Sequence, residues 1–155
     1  MLAAGAPPSA PKIILAFDYG TRRIGVASGD TLTRTARPLS TLQCTPAVPW
    51  TQIDRLVEEY RPRQFVVGLP YNMDDTPTAL TEASRTFAIQ LKSRYAQPVA
   101  LVDERLSSRE ASEQIRDARS QGLKRKRASR EDIDMIAARI LLERWLENEA
   151  GAQQV

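Results

Sequence analysis

The sequence predicts an α/β protein: a mixed five-stranded sheet, its first three strands antiparallel, with helices on both faces. Three observations carry that expectation. Residues 12–19 (KIILAFDY) and 64–69 (QFVVGL) are short, nearly unbroken apolar runs, as strands covered on both faces require. Elsewhere apolar residues recur at helical spacing. Strand-like segments lead the chain, and helix and strand then alternate, which is the order of a mixed sheet.

Taken in order, 12–19 runs into the turn Gly20-Thr21-Arg22-Arg23, and the small, β-favouring segment 24–28 (IGVAS) returns antiparallel to it. A third, weaker strand covers 37–42, where Pro38 forces it to a sheet edge. Trp50, Ile53, Leu56, Val57 and Tyr60 form a helical stripe after Pro49, and Pro62 stops it, so the first helix spans 50–60. Strand 64–69 enters a turn-rich loop, 70–77, and the next helix carries Leu80, Ala83, Phe87 and Leu91 on one face. Strand 98–102 (PVALV) closes on Asp103-Glu104-Arg105; an amphipathic helix over 108–121, a basic loop over 124–130 and a final helix over 131–148 follow. Residues 1–11 (MLAAGAPPSAP) read as a flexible leader and 150–155 as a flexible tail, leaving 12–149 as a single domain.

Composition narrows the chemistry. The 155 residues hold 22 Lys+Arg against 19 Asp+Glu, a net charge of +3, which suits a polyanionic partner. Histidine is absent, which removes imidazole bases, Ser-His pairs and His-liganded zinc. Cys44 is the one cysteine, so there is no intrachain disulfide or thiolate metal cage. No apolar run approaches the roughly 20 residues that span a bilayer, and no signal peptide is legible. A soluble, cytoplasmic protein without membrane partners is expected, its chemistry carried by carboxylates, cations, hydroxyls or water.

In an open α/β sheet, ligands gather at the carboxyl ends of the parallel strands, and two strands here end in acids, Asp18 and the Asp103-Glu104 pair. Each acid alone also reads as a strand-end turn residue or half of a salt bridge. The final helix adds a third observation: at about 100° per residue, Asp134 shares the apolar stripe of Ala138, Leu141 and Trp145. A carboxylate so placed needs a compensating cation. Two readings stay open: a metal ion shared with Asp18 and Glu104, or an arginine such as Arg22 or Arg23. Hard oxygen donors favour Mg²⁺ or Mn²⁺, as one ion or a two-metal site. Asp132 lies on the opposite side of the helix, and Ser129-Arg130-Glu131-Asp132 has the pattern of a capping box.

The cations fall into two groups: Arg22 and Arg23 beside the first acid, and Lys124, Arg125, Lys126 and Arg127 in the loop before the last helix. Both would flank a site at the strand ends, although a charge run also reads as a solvated face. Aromatic residues make up only 6%, so contact with backbone and shape is expected over base stacking.

Four segments, AFDYGTRRIGVASGD (16–30), VVGLPYNMDDT (66–76), DERLSS (103–108) and DIDMIAARILL (132–142), together resemble the YqgF, or RuvX, family. The resemblance implies a small ribonuclease H-like nuclease that processes the 5′ end of precursor small-subunit ribosomal RNA or resolves Holliday junctions. It places Asp18, Glu104 and Asp134 at the catalytic, metal-holding positions. Asp75 stands where that family's loop usually has glycine, and Ser108 where threonine is frequent. The expected reaction is metal-dependent phosphodiester hydrolysis by water, without a covalent intermediate. Arg22, Arg23, Arg105, Lys124, Arg125, Lys126, Arg127 and Asn72 would hold nucleic acid.

RNA is the expected substrate by resemblance, with branched DNA the alternative; a resolvase would act as a dimer, a processing enzyme also as a monomer. Two rivals do not cleave. Asp18-Tyr19-Gly20-Thr21 also resembles the first phosphate loop of actin and Hsp70-like ATPases, though those enclose ATP between two such domains. The other is a module that docks on ribosomal RNA or transcription complexes.

Overall fold

The computed structural model describes residues 12–70, 76–103, 130–147 and 153–154. Nine elements are laid out along them: β1 (Ile13–Tyr19), β2 (Arg23–Asp30), β3 (Thr35–Gln43), α1 (Trp50–Tyr60), β4 (Gln64–Leu69), α2 (Ala79–Tyr95), β5 (Val99–Asp103), α3 (Arg130–Glu147) and β6 (Gln153–Gln154). The sheet order is β3-β2-β1-β4-β5-β6. β1 pairs antiparallel with β2 and β2 with β3, while β1, β4 and β5 run parallel. This is the expected mixed sheet with one addition. Gln153–Gln154, within the stretch read as a tail, pair antiparallel with Ala100 and Leu101 and use the ladder groups that β5 offers at its open edge.

The β2–β3 hairpin is longer than its composition indicates. Asp30 Oδ1 accepts the Leu32 and Thr33 N–H groups, each at 2.9 Å, and Arg34 turns through a φ of 56°. That local turn lets β2 and β3 stay paired to Asp30↔Thr35. Pro38 lies on the edge strand, as expected, and the register shifts beside it, between Val26↔Ser40 and Ala27↔Pro38.

The central strands bury both faces, which is why they read as unbroken apolar runs. All six residues of β4 are buried. One face sets Leu15, Phe17, Ile24, Val26, Phe65, Val67, Val99 and Leu101 against Ile53 of α1 and Phe87, Ala88 and Leu91 of α2. The other sets Ile14, Ala16, Ala27, Val66 and Ala100 against Ala138, Leu141, Leu142, Trp145 and Leu146 of α3. Bulk is unequal between them. Phe17 and Phe65 fill the α1/α2 side, with Phe17 edge-on to Phe87 at 5.5 Å, whereas alanines under α3 let a single helix lie close to the sheet.

The buried stripe of α2 begins Thr81, Ser84 and Phe87, so Leu80 and Ala83 are only half-buried where the pattern made them core. Hydrogen bonding explains the polar substitute. Thr81 closes a capping box with Thr78, and its hydroxyl also donates to the Pro70 carbonyl.

Across α1 and α2, Asp54 accepts Arg94 Nε at 2.9 Å and Nη2 at 2.8 Å, and the Tyr95 hydroxyl at 2.5 Å. Those bonds, Arg94's first, hold the Asp54 carboxyl at about 2, down from 3.8. A carboxyl lowered on folding stabilises fully above its unfolded value and loses that contribution as pH falls through the folded one. Asp54→Asn is therefore expected to lower thermal stability at neutral pH and to close the gap to wild type between about pH 4 and about pH 2. Melting curves that stay equally far apart over that window would refute the assignment.

Candidate nuclease site

Strand parity decides which side chains reach the α3 face. On β1, Ile14 and Ala16 pack under α3 while Leu15 and Phe17 face α1 and α2, so alternation puts Asp18 on the α3 face, at the carboxyl end of the strand. On β2, Ala27 packs under α3, so Arg23 and Gly25 share that face. Asp18 and Gly25 are direct cross-strand partners, which sets their Cα atoms about 5 Å apart. In the parallel ladder Phe17 pairs with Val67 and Val67 with Leu101, and β5 reaches this rim with Asp103, opposite Leu69.

Helix α3 delivers Asp134 to the same spot. A Cβ built on Gly25 would overlap the Asp134 carbonyl oxygen and come within 3.1 Å of Asp134 Cβ. The glycine is there for space, since no left-handed φ calls for it. At Gly29 a Cβ would meet Leu142 Cδ2 at 2.9 Å, so Gly25, Ala27 and Gly29 form a shallow track along which α3 lies. Thr41 Oγ1 donates to the Glu131 carbonyl at 2.9 Å, and Gln43 Nε2 donates to Glu131 Oε2 at 3.2 Å, tying the first turn of α3 to β3. At the other end Arg34 Nη2 donates to the Leu146 carbonyl.

Asp134 has a cation. Arg23 Nε donates to Asp134 Oδ2 at 2.7 Å, with side chains 24% and 22% exposed. Of the two partners left open by the sequence, this structure shows the arginine, and parity selects Arg23 over Arg22. Arg22 is exposed at the hairpin tip, where its carbonyl accepts the Cys44 N–H at 2.8 Å. A pair this exposed to water is worth about 1 kcal/mol or less. Leu141, Leu142 and Leu146 are each at most 2% exposed, and full burial of each contributes about 1.5–3 kcal/mol. Packing therefore seats α3, and the ion pair sits on a helix that is already held.

Cys44 is buried, and burial pushes its thiol up from the ordinary value, so it is no nucleophile. Glu104, Arg105, Asn72, Lys124, Arg125, Lys126 and Arg127, with the capping residue Ser129 and the helix expected over 108–121, lie outside the described residues. Among the described residues no group of three or more metal-ligating side chains forms. Asp18 and Asp134 lie on one face of one rim, and carboxylates are the donor type a hard divalent cation takes; a guanidinium already stands as the positive charge on Asp134. The sequence motifs do not mark Thr41, Gln43 and Gly25 as site residues, and they give Glu131 only a place in a capping-box pattern. The one available signal was the period-two run of small residues Gly25, Ala27 and Gly29, which in a strand marks close approach of another backbone.

Known structures share this architecture. The chain resembles "T. thermophilus RuvC in complex with Holliday junction substrate" at a TM-score of 0.59 and 15% identity, covering 93% of this chain and 99% of that one. It resembles "Thermus thermophilus RuvC structure" at a TM-score of 0.55 and 16% identity, covering 92% and 99%. The fold is thus that of the ribonuclease H-like class to which RuvC belongs. A protein of Azotobacter vinelandii named "Putative pre-16S rRNA nuclease" is 46% identical over 146 residues, 92% of this chain and 99% of its own length. One of Nitrosococcus oceani with the same name is 43% identical over 140 residues, 90% and 89% of the two. The family described as "RuvX: Holliday junction resolvase" matches residues 12–148. The chain belongs to the RuvX family of nucleases.

Proposed function

We propose that this chain is a divalent-metal-dependent ribonuclease that processes the 5′ end of precursor 16S rRNA in the cytoplasm. The observation that supports the metal-dependent reading is that Gly25 is both the strand partner of Asp18 and the residue on which the Asp134 backbone packs, at the carboxyl end of the parallel strands. The RNA substrate is supported by the names of the relatives at 46% and 43% identity. Asp18, Glu104 and Asp134 would hold Mg²⁺ or Mn²⁺ as one ion or two. Such ions, when bound, activate water and offset charge on the phosphoryl oxygens. The chain's own cations hold the substrate: Arg22 at the hairpin tip and Arg23 beside Asp134 take backbone phosphates, with Arg105, Lys124, Arg125, Lys126, Arg127 and Asn72 extending the grip. Histidine is absent and the one cysteine is buried, so neither imidazole nor thiol is assigned the attack on phosphorus; in this reading it falls to water.

The test is cleavage of matched single-stranded RNA bearing the 16S 5′ precursor, single-stranded DNA and a four-way junction, each with Mg²⁺ and with Mn²⁺. Wild type is expected to cut the RNA, and Asp18→Asn to bind it without cutting. Tight binding with no cleavage of any substrate would overturn the proposal. A second reading, a junction resolvase, is favoured by the family's description and by the similarity to RuvC bound to a junction. Paired cuts in the four-way junction by a stable dimer, with RNA left whole, would establish it instead.

A further inference from the structure

We propose that Arg23 is a displaceable internal counter-ion: it holds Asp134 until a divalent cation arrives, and its released guanidinium then passes to a nucleic-acid phosphate. The inference rests on the metal-site reading above and deepens it. Arg23 Nε already satisfies Asp134 Oδ2 at 2.7 Å, and a guanidinium and a divalent ion repel when they share one carboxylate. One must leave. Both side chains are about a quarter exposed, so an ion can approach and the arginine can swing out.

The exchange can occur without disturbing the framework. The Arg23 backbone is fixed in the ladder by its pairing with Gln43, so only the side chain has to move. Helix α3 is seated by its leucines and tied by Thr41, Gln43 and Arg34, none of which depends on the ion pair. The destination is chemically apt, because a guanidinium's planar donor fork fits phosphate as well as carboxylate. Exposed Arg22 precedes it at the same rim. Metal and nucleic acid would thereby help each other bind: the ion frees the arginine, and the phosphate keeps it from returning.

The direct experiment follows arginine Nε–H resonances of the full chain, labelled with nitrogen-15, through a titration with Mg²⁺ alone. The Arg23 signal is expected to move toward the position of free arginine and to exchange faster with water, saturably. In parallel, Arg23→Gln is expected to bind Mn²⁺ about three- to fivefold tighter by calorimetry, since the guanidinium no longer competes for the carboxylate. Arg23→Lys, which keeps the charge, should stay near wild type. A merely structural arginine would give the opposite sign, because its loss would loosen the site and weaken metal binding. An Arg23 signal unmoved while Asp134-dependent Mg²⁺ binding proceeds, or Mn²⁺ affinity unchanged or weaker in Arg23→Gln, overturns the exchange and leaves the metal site standing. Mg²⁺ and Mn²⁺ binding undiminished in Asp134→Asn removes the metal site itself, and the exchange with it.

Discussion

Alanine at Gly25 is expected to lower nuclease activity by about a hundredfold and to destabilise the fold by about 1–3 kcal/mol. The added methyl would overlap the Asp134 carbonyl oxygen, so α3 must withdraw by about an ångström to recover ordinary contact. Two effects oppose each other. Replacing glycine in ordinary strand backbone stiffens the unfolded chain, a gain of about 0.4–1 kcal/mol, while forcing a methyl against packed backbone costs more. The overlap wins because the obstacle is a helix carbonyl, which cannot rotate away as a side chain can. Activity should suffer beyond stability, since the displaced residue is Asp134. Urea unfolding together with cleavage rates would check both parts. Wild-type values for both would mean that α3 does not rest on β2 at this point.

Asp134→Asn is expected to separate activity from stability in the other direction. If the carboxylate helps to hold a divalent cation, its loss removes several kcal/mol of transition-state stabilisation, on the order of a thousandfold in rate. The fold should barely respond, since the lost ion pair with Arg23 is about a quarter exposed and worth about 1 kcal/mol or less. Asparagine keeps the volume and one oxygen, so the contact with Gly25 survives. The combination to look for is a nearly unchanged melting temperature with cleavage at background in both Mg²⁺ and Mn²⁺. A melting temperature that drops by many degrees with activity retained would make Asp134 a purely structural partner of Arg23.

Much of this arrangement is legible along the chain. The bounds of α1 and β4 fall where Pro49, Pro62 and the run QFVVGL put them, because proline sterics and two-sided burial act over a few residues. Helical periodicity likewise assigns Asp134 to the stripe of Ala138, Leu141 and Trp145, the stripe that packs on the sheet. Features set by longer-range contacts are less legible. The β2–β3 hairpin extends past its β-favouring segments because its register is held by the turn at Asp30, and Thr81 and Ser84 are buried where the apolar pattern predicts Leu80 and Ala83, because burial there depends on contacts with distant segments.

What the sequence by itself determined is the alternation of elements, the exclusion of imidazole and thiol chemistry, and the acids at strand ends and on the covering helix. Each follows from composition or from a local period of 2 or about 3.6 residues. Only the tertiary structure decided that α3 returns to β2 after more than a hundred residues, that the Asp134 backbone packs on Gly25, the strand partner of Asp18, and that Arg23 rather than Arg22 neutralises Asp134. Those are choices of partner between distant segments. They depend on how the faces of a twisted sheet and a helix fit in space, a property that no local pattern of residues contains.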